Sequence, residues 1–97
     1  MDEYILCAAI HYEVPGHYIH QPENIQKGFV ICGWRHHNCI AIQNILNLDR
    51  LPQYTQGFLT NTNRFLSREE ALVVARAAEQ VGGTTHHRTK LFSEDLY

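Results

Sequence analysis

Ser67-Arg68-Glu69-Glu70-Ala71-Leu72-Val73-Val74-Ala75-Arg76-Ala77-Ala78 is the stretch on which the fold turns. Ser67 followed three residues later by Glu70 is a capping box: the hydroxyl accepts from a first-turn amide, and the carboxylate reaches back to the serine N–H. Ala71, Val74, Ala75, Ala78 and Val81 then recur at three- and four-residue spacing, one face of a helix. Its alanines permit close packing on a sheet, and Gly82-Gly83 supplies the expected C-terminal stop. Just upstream, Gln56–Thr60 and Arg64–Leu66 read as short strands joined by Asn61-Thr62-Asn63, a turn whose asparagines tolerate left-handed backbone.

The first half repeats that order. Residues 3–12 (EYILCAAIHY) are β-branched and aromatic enough for a strand, and Val14-Pro15-Gly16 is a turn signal. His17 to Lys27, polar and interrupted by Pro22, reads as a loop or protruding arm before a second strand, Gly28–Gly33. Two strands and an intervening loop predict an antiparallel hairpin with an insertion. Residues 35–48 (RHHNCIAIQNILNL) then predict a helix with Ala41, Ile42, Ile45, Leu46 and Leu48 as its buried stripe, ended by Leu51-Pro52. The order β-β-α-β-β-α predicts an α+β domain, two helices against an antiparallel sheet.

Length and composition bound the answer. Ninety-seven residues at 44% hydrophobic and 19% charged describe one ordinary globular domain over residues 1–97. No apolar run approaches the roughly 20 residues a bilayer span requires, so no membrane partner is expected. The acidic start, Met1-Asp2-Glu3-Tyr4, is not a signal peptide, and three cysteines (Cys7, Cys32, Cys39) cannot pair completely. Both features suit a reducing cytosol.

A net charge of −2 argues against binding long nucleic acid. Arginine nevertheless outnumbers lysine six to two, and all of it lies beyond the first third. Planar guanidinium forks suit phosphate or carboxylate, so a small anionic ligand fits better than a polyanion. Scattered solvated arginines are the competing reading.

Seven histidines include two adjacent pairs. Arg35-His36-His37-Asn38-Cys39 opens the first helix, where unsatisfied amides and positive dipole make an anion-binding corner. Surface histidines at a helix start are the plainer alternative. A zinc site using His36 or His37 with Cys39 and Cys32 lacks a regular ligand spacing, and no metal or cofactor is expected. The second pair, in His86-His87-Arg88-Thr89-Lys90, offers many donors to phosphate oxygens or forms a solvated loop. No Gly-x-Ser-x-Gly, HExxH or phosphate loop is present, so nucleophilic catalysis has little support. Phe58, near Asn61, Asn63 and Arg64, provides an aromatic face beside amides and an arginine, which a nucleobase needs, or else a core residue. Glu94 and Asp95 within Leu91–Tyr97 suggest a docking strand or a subunit clasp, with a solvated tail as the alternative.

Four blocks carry a family resemblance: GWRHHNCI at Gly33–Ile40, QGFLT at Gln56–Thr60, RFLSREEA at Arg64–Ala71 and LFSEDLY at the end. In this order they resemble the first Thoeris anti-defence family of phage sponge proteins, whose patterns run close to GKRHH, EQGFVT, GRFVxRxEA and LYSEDLW. The resemblance implies sequestration, without cleavage, of cyclic ADP-ribose isomers and in some members of CBASS cyclic oligonucleotides. It also implies self-association as dimers and higher oligomers such as hexamers, in the cytoplasm of an infected bacterium. Phe58 would stack on the base, Arg88 and Lys90 would hold the diphosphate, and Asn63, Arg64 and Ser67 would supply polar contacts. Arg35, His36 and His37 would match a second, cyclic-oligonucleotide corner. The stretch GTTHHRTK carries histidines where the family has a more basic run. Two other classes stay open: a small nucleotide-processing enzyme using His36, His37 and Cys39, and a phage accessory protein that binds a host protein.

Overall fold

The computed structural model describes residues 2–81 and 89–96. Four strands, β1 (Ile5–Tyr12), β2 (Phe29–Gly33), β3 (Tyr54–Thr60) and β4 (Phe65–Ser67), form one antiparallel sheet in the order β2-β1-β3-β4. Helix α1 (His36–Ile45) follows β2, and α2 (Arg68–Ala77) follows β4. The chain is therefore α+β in the order β-β-α-β-β-α. Because β2 and β3 both run antiparallel to the β1 between them, α1 must carry the chain across the sheet.

Register divides the side chains by face. Ala8 pairs with Gly33 and Phe58, Ile10 with Ile31 and Gln56, and Phe58 with Leu66. These positions face both helices; Ala8, Ile10, Phe58 and Leu66 join Ile5, Tyr12, Cys39, Ala71, Leu72, Ala75 and Leu91 in one buried cluster, with Ile31 packed against it. Leu91 lies near the C-terminus, so the end of the chain completes the core.

The opposite face is built differently. Ala9 and Gly57 are small and paired, and the Phe65 ring lies over Gly57 to reach within 5.4 Å of the His11 ring. A side chain at Gly57 would collide with Phe65 and with the Leu66 carbonyl. The segment between β1 and β2 is pinned at several points. Gly28, at φ +84 with no room for a side chain beside the Tyr12 carbonyl, donates to Gly16 O at 2.9 Å. Asn24 bonds both the N–H and the C=O of Phe65, at 2.7 and 2.5 Å, which satisfies part of the exposed β4 edge.

Helix α2 starts as its sequence dictates, with Ser67 Oγ accepting from Glu70 N–H at 3.2 Å and Glu70 returning a bond to Ser67 N–H at 3.0 Å. Its stop differs from expectation. The helix ends at Ala78, with Glu79 at φ 57 and bonds from Glu79 N–H to Arg76 O and from Gln80 N–H to Ala75 O, a Schellman motif on a non-glycine residue. Gly82-Gly83 lies outside the described residues.

Helix α1 also departs from its reading. It spans His36–Ile45, shorter than 35–48, and buries His36, Cys39 and Gln43. Ile42, Ile45 and Leu46 face outward, with Ile45 78% and Leu46 57% exposed. The physical reason lies in the sheet. The Tyr12 hydroxyl, fully buried, donates to Gln43 Oε1 at 2.8 Å, and the Gly57 carbonyl accepts from His36 Nε2 at 2.6 Å. Orphaning those groups costs about 1–3 kcal/mol each, comparable to burying an isoleucine, and the helix turns its polar residues inward.

Candidate functional site at the two helix starts

The C-terminal segment ties the beginnings of both helices into one corner. Leu91 N–H donates to Arg68 O at 2.9 Å, and the Arg68 guanidinium returns a bond to Leu91 O at 3.0 Å. Two residues on, buried Ser93 accepts the His36 N–H, a first-turn amide of α1, at 3.3 Å. A short 3-10 turn, Ser93–Asp95, ends the segment, with Asp95 Oδ2 accepting from Phe92 N–H. Leu91–Asp95 is thus a clasp within one chain.

Arg68 is the hub. A second nitrogen donates to Gln56 Oε1 at 2.6 Å, and the guanidinium carbon sits 4.8 Å from the Phe92 ring centroid, a cation–π contact. Phe92 itself is exposed. Burial lowers the Arg68 pKa somewhat from its usual value, with Glu94 and Glu69 opposing; it remains a cation at neutral pH.

His36 is buried against the Phe58 ring, edge to face with centroids 4.8 Å apart. A carbonyl only accepts, so Nε2 carries the imidazole proton and Nδ1 is a bare acceptor. Among the described residues nothing donates to that buried Nδ1. Burial and then the Arg68 charge push the His36 pKa down, against the Gly57 bond and Glu94. Cys39 is fully buried and its thiol is pushed up to about 11, chiefly by burial. A neutral imidazole committed to a carbonyl and a protonated core thiol are poor acid, base or nucleophile.

Several residues expected to form a site are placed elsewhere. Phe58 is fully buried under the helices, so it offers no face to a nucleobase; its place opposite Ala8 and Leu66 makes it core. Arg64 bonds Glu3 Oε1 at 2.8 Å, while the Thr60 and Thr62 hydroxyls donate to Glu3 Oε2 at 2.8 and 2.6 Å. These bonds hold the Glu3 carboxyl below its usual pKa, the Thr62 hydroxyl contributing most, and they tie the β3–β4 turn to the start of β1. Asn63, left-handed at φ 58, donates to Gln21 O and accepts from Glu23 N–H. Ser67 is engaged as the α2 cap. Arg88, His86 and His87 lie outside the described residues. Lys90 is exposed, 4.0 Å from Glu69.

Arg35, His36 and His37 do stand together at the start of α1, where Asn38 Oδ1 accepts the Arg35 N–H at 2.9 Å. The structure adds Arg68 and Phe92 to that group. The sequence contains no local signal joining them, since residue 68 meets residues 91 and 92 only through the fold. The zinc grouping is not assembled: Cys32 pairs with Ala9 on one face of the sheet, and Cys39 packs beneath Gly33 on the other. Among the described residues no three His, Cys, Asp or Glu side chains gather.

An open concavity lies away from the corner. It is an open groove of about 760 Å³ between α2 and the start of β1, lined by Tyr4, Val73, Val74 and Ala77 and by the carboxylates of Asp2, Glu3 and Glu79. Among the described residues its lining carries carboxylates and no cation, the wrong sign for an anionic ligand. Among the described residues no helix is long and apolar enough to cross a membrane.

The family model for the phage T4 y16D protein matches residues 4–97. The chain belongs to the phage T4 y16D protein family. The match spans both helices, the four strands and the clasp, so the corner lies within what the family shares in length. It makes this a phage protein and says nothing of a ligand. No curated protein and no solved structure matches the chain.

Proposed function

We propose that the protein is a phage-encoded sponge that binds small signalling nucleotides, of the cyclic ADP-ribose or cyclic oligonucleotide kind, and holds them unaltered in the cytoplasm of an infected bacterium. The observation that carries this reading is the corner itself: Arg35 and His37 at the α1 start, with Arg68 stacked on the exposed Phe92 ring and Lys90 by Glu69 at the α2 start. An aromatic platform and planar guanidinium groups are parts that a base and its phosphates require. Phe92 takes the stacking role in place of Phe58. The motif resemblance to the Thoeris anti-defence proteins and membership of a phage family support the biological setting.

One chain of this size has little depth in which to enclose a ligand. A site completed by a second copy is the consistent arrangement, and the outward stripe of Ile42, Ile45 and Leu46 gives such a copy an apolar surface. That same stripe favours a second reading, an accessory protein that binds a host protein and no nucleotide.

Equilibrium dialysis against cyclic ADP-ribose isomers and cyclic di- and trinucleotides tests the proposal. Stacking is worth about 1–3 kcal/mol per base, so Phe92→Ala should weaken binding between roughly fivefold and 150-fold. Arg35→Ala should weaken it by a similar amount, as loss of a charged hydrogen bond of about 1.5–3 kcal/mol implies. Undiminished binding in both variants would remove the corner from the account.

A further inference from the structure

Cys7 and Cys32 take no part in the corner or in the helix-facing core. They sit on neighbouring antiparallel strands, and the pairs Ala8–Gly33 and Ala9–Cys32 put both side chains on the sheet face away from the helices, Cys32 as the diagonal neighbour of Cys7. Cys32 is exposed and Cys7 half-buried, whereas Cys39 is buried on the other face. Side chains so placed share one face and can approach one another.

Diagonal neighbours stand about 7–8 Å apart at Cα, beyond the roughly 4.4–6.8 Å that a disulfide spans. A single ion between the sulfurs tolerates more: two metal–thiolate bonds of about 2.3 Å each hold sulfurs as far as about 4.6 Å apart. We propose that Cys7 and Cys32 form a two-thiolate site for a soft monovalent metal ion of the Cu(I) class. Each S–H bond breaks as an S–Cu bond forms, so two protons leave per ion, copper stays Cu(I), and nothing is oxidised or reduced. The complex carries one negative charge. Thiolates select soft ions, and the absence of a third gathered ligand among the described residues disfavours four-coordinate zinc.

The test is an anaerobic titration of the reduced full chain with Cu(I) held by bicinchoninate, read by the chelate absorbance and by native mass spectrometry. One Cu(I) per chain, with two sulfur neighbours in X-ray absorption, is the expected result. Cys7→Ser and Cys32→Ser should each weaken binding by more than the roughly 10–100-fold that loss of a merely supporting group costs, and Cys39→Ala should not. Blocking the exposed thiols of the unmutated protein with methyl methanethiosulfonate should reproduce the loss without any folding ambiguity. Binding that survives the blocked thiols, or one copper shared between two chains, would overturn the site.

Discussion

His36 and Phe58 meet edge to face at the centre of the molecule, and their contact fixes what each can do. Phe58→Ala should cost about 3–5 kcal/mol, as removal of a core phenylalanine does, read as a lower urea midpoint. An unchanged midpoint with lost nucleotide binding would instead return Phe58 to a stacking role. His36 carries a pH signature. Its pKa is depressed in the folded chain by burial and by Arg68, so as pH falls through about 6.5 the unfolded chain takes up the proton first. Stability therefore falls with decreasing pH from about 6.5 down to the depressed native value, and is flat above that window. His36→Gln, whose amide still donates to Gly57 O, should reduce this slope; urea midpoints from about pH 5 to pH 8 measure it. An identical profile in both proteins would contradict the buried, neutral imidazole. The candidate site was legible in the sequence only where it is local: Arg35-His36-His37 could be read at a helix start, but Arg68 and Phe92 meet across the fold.

At the scale of the element, α2 and α1 differ in what determines them. Helix α2 was legible because its signal is local: Ser67 and Glu70 satisfy one another within a turn, whatever the sheet does. Its end was not, because the Schellman bonds close on Glu79 and do not wait for Gly82-Gly83. A left-handed non-glycine costs about 1–2 kcal/mol. Glu79→Gly should accordingly stabilise the protein by about 1 kcal/mol, seen as a higher melting temperature; no gain would mean Glu79 makes an offsetting contact. For α1 the apolar periodicity pointed the wrong way, since Ile42, Ile45 and Leu46 form the better stripe but the sheet presents a buried tyrosine hydroxyl and a carbonyl. Only the tertiary partners Gln43–Tyr12 and His36–Gly57 decide the rotation. Strand order within the fold class was likewise beyond local reading, although the two hairpins were marked by their turns, with Asn63 left-handed as its residue type suggested.

For the whole molecule, the consequence of that rotation is an uncharged helix whose apolar side faces out. Residues 36–48 contain no Asp, Glu, Lys or Arg, so two copies can approach along α1 without like-charge repulsion. Ile45→Asp should leave stability within about 0.5 kcal/mol, as exposed positions do, while shifting sedimentation velocity to the monomer. A monomeric unmutated protein would remove self-association from the account and favour a host-protein partner for the stripe. The central claim is sequestration, and one measurement meets it directly. Purified protein is mixed with cyclic ADP-ribose isomers and cyclic di- and trinucleotides, filtered free of unbound material, heat-denatured, and the released nucleotide is identified by mass spectrometry. The account predicts one class of nucleotide captured and returned chemically unchanged; a nucleotide returned altered, or none captured at all, would contradict it.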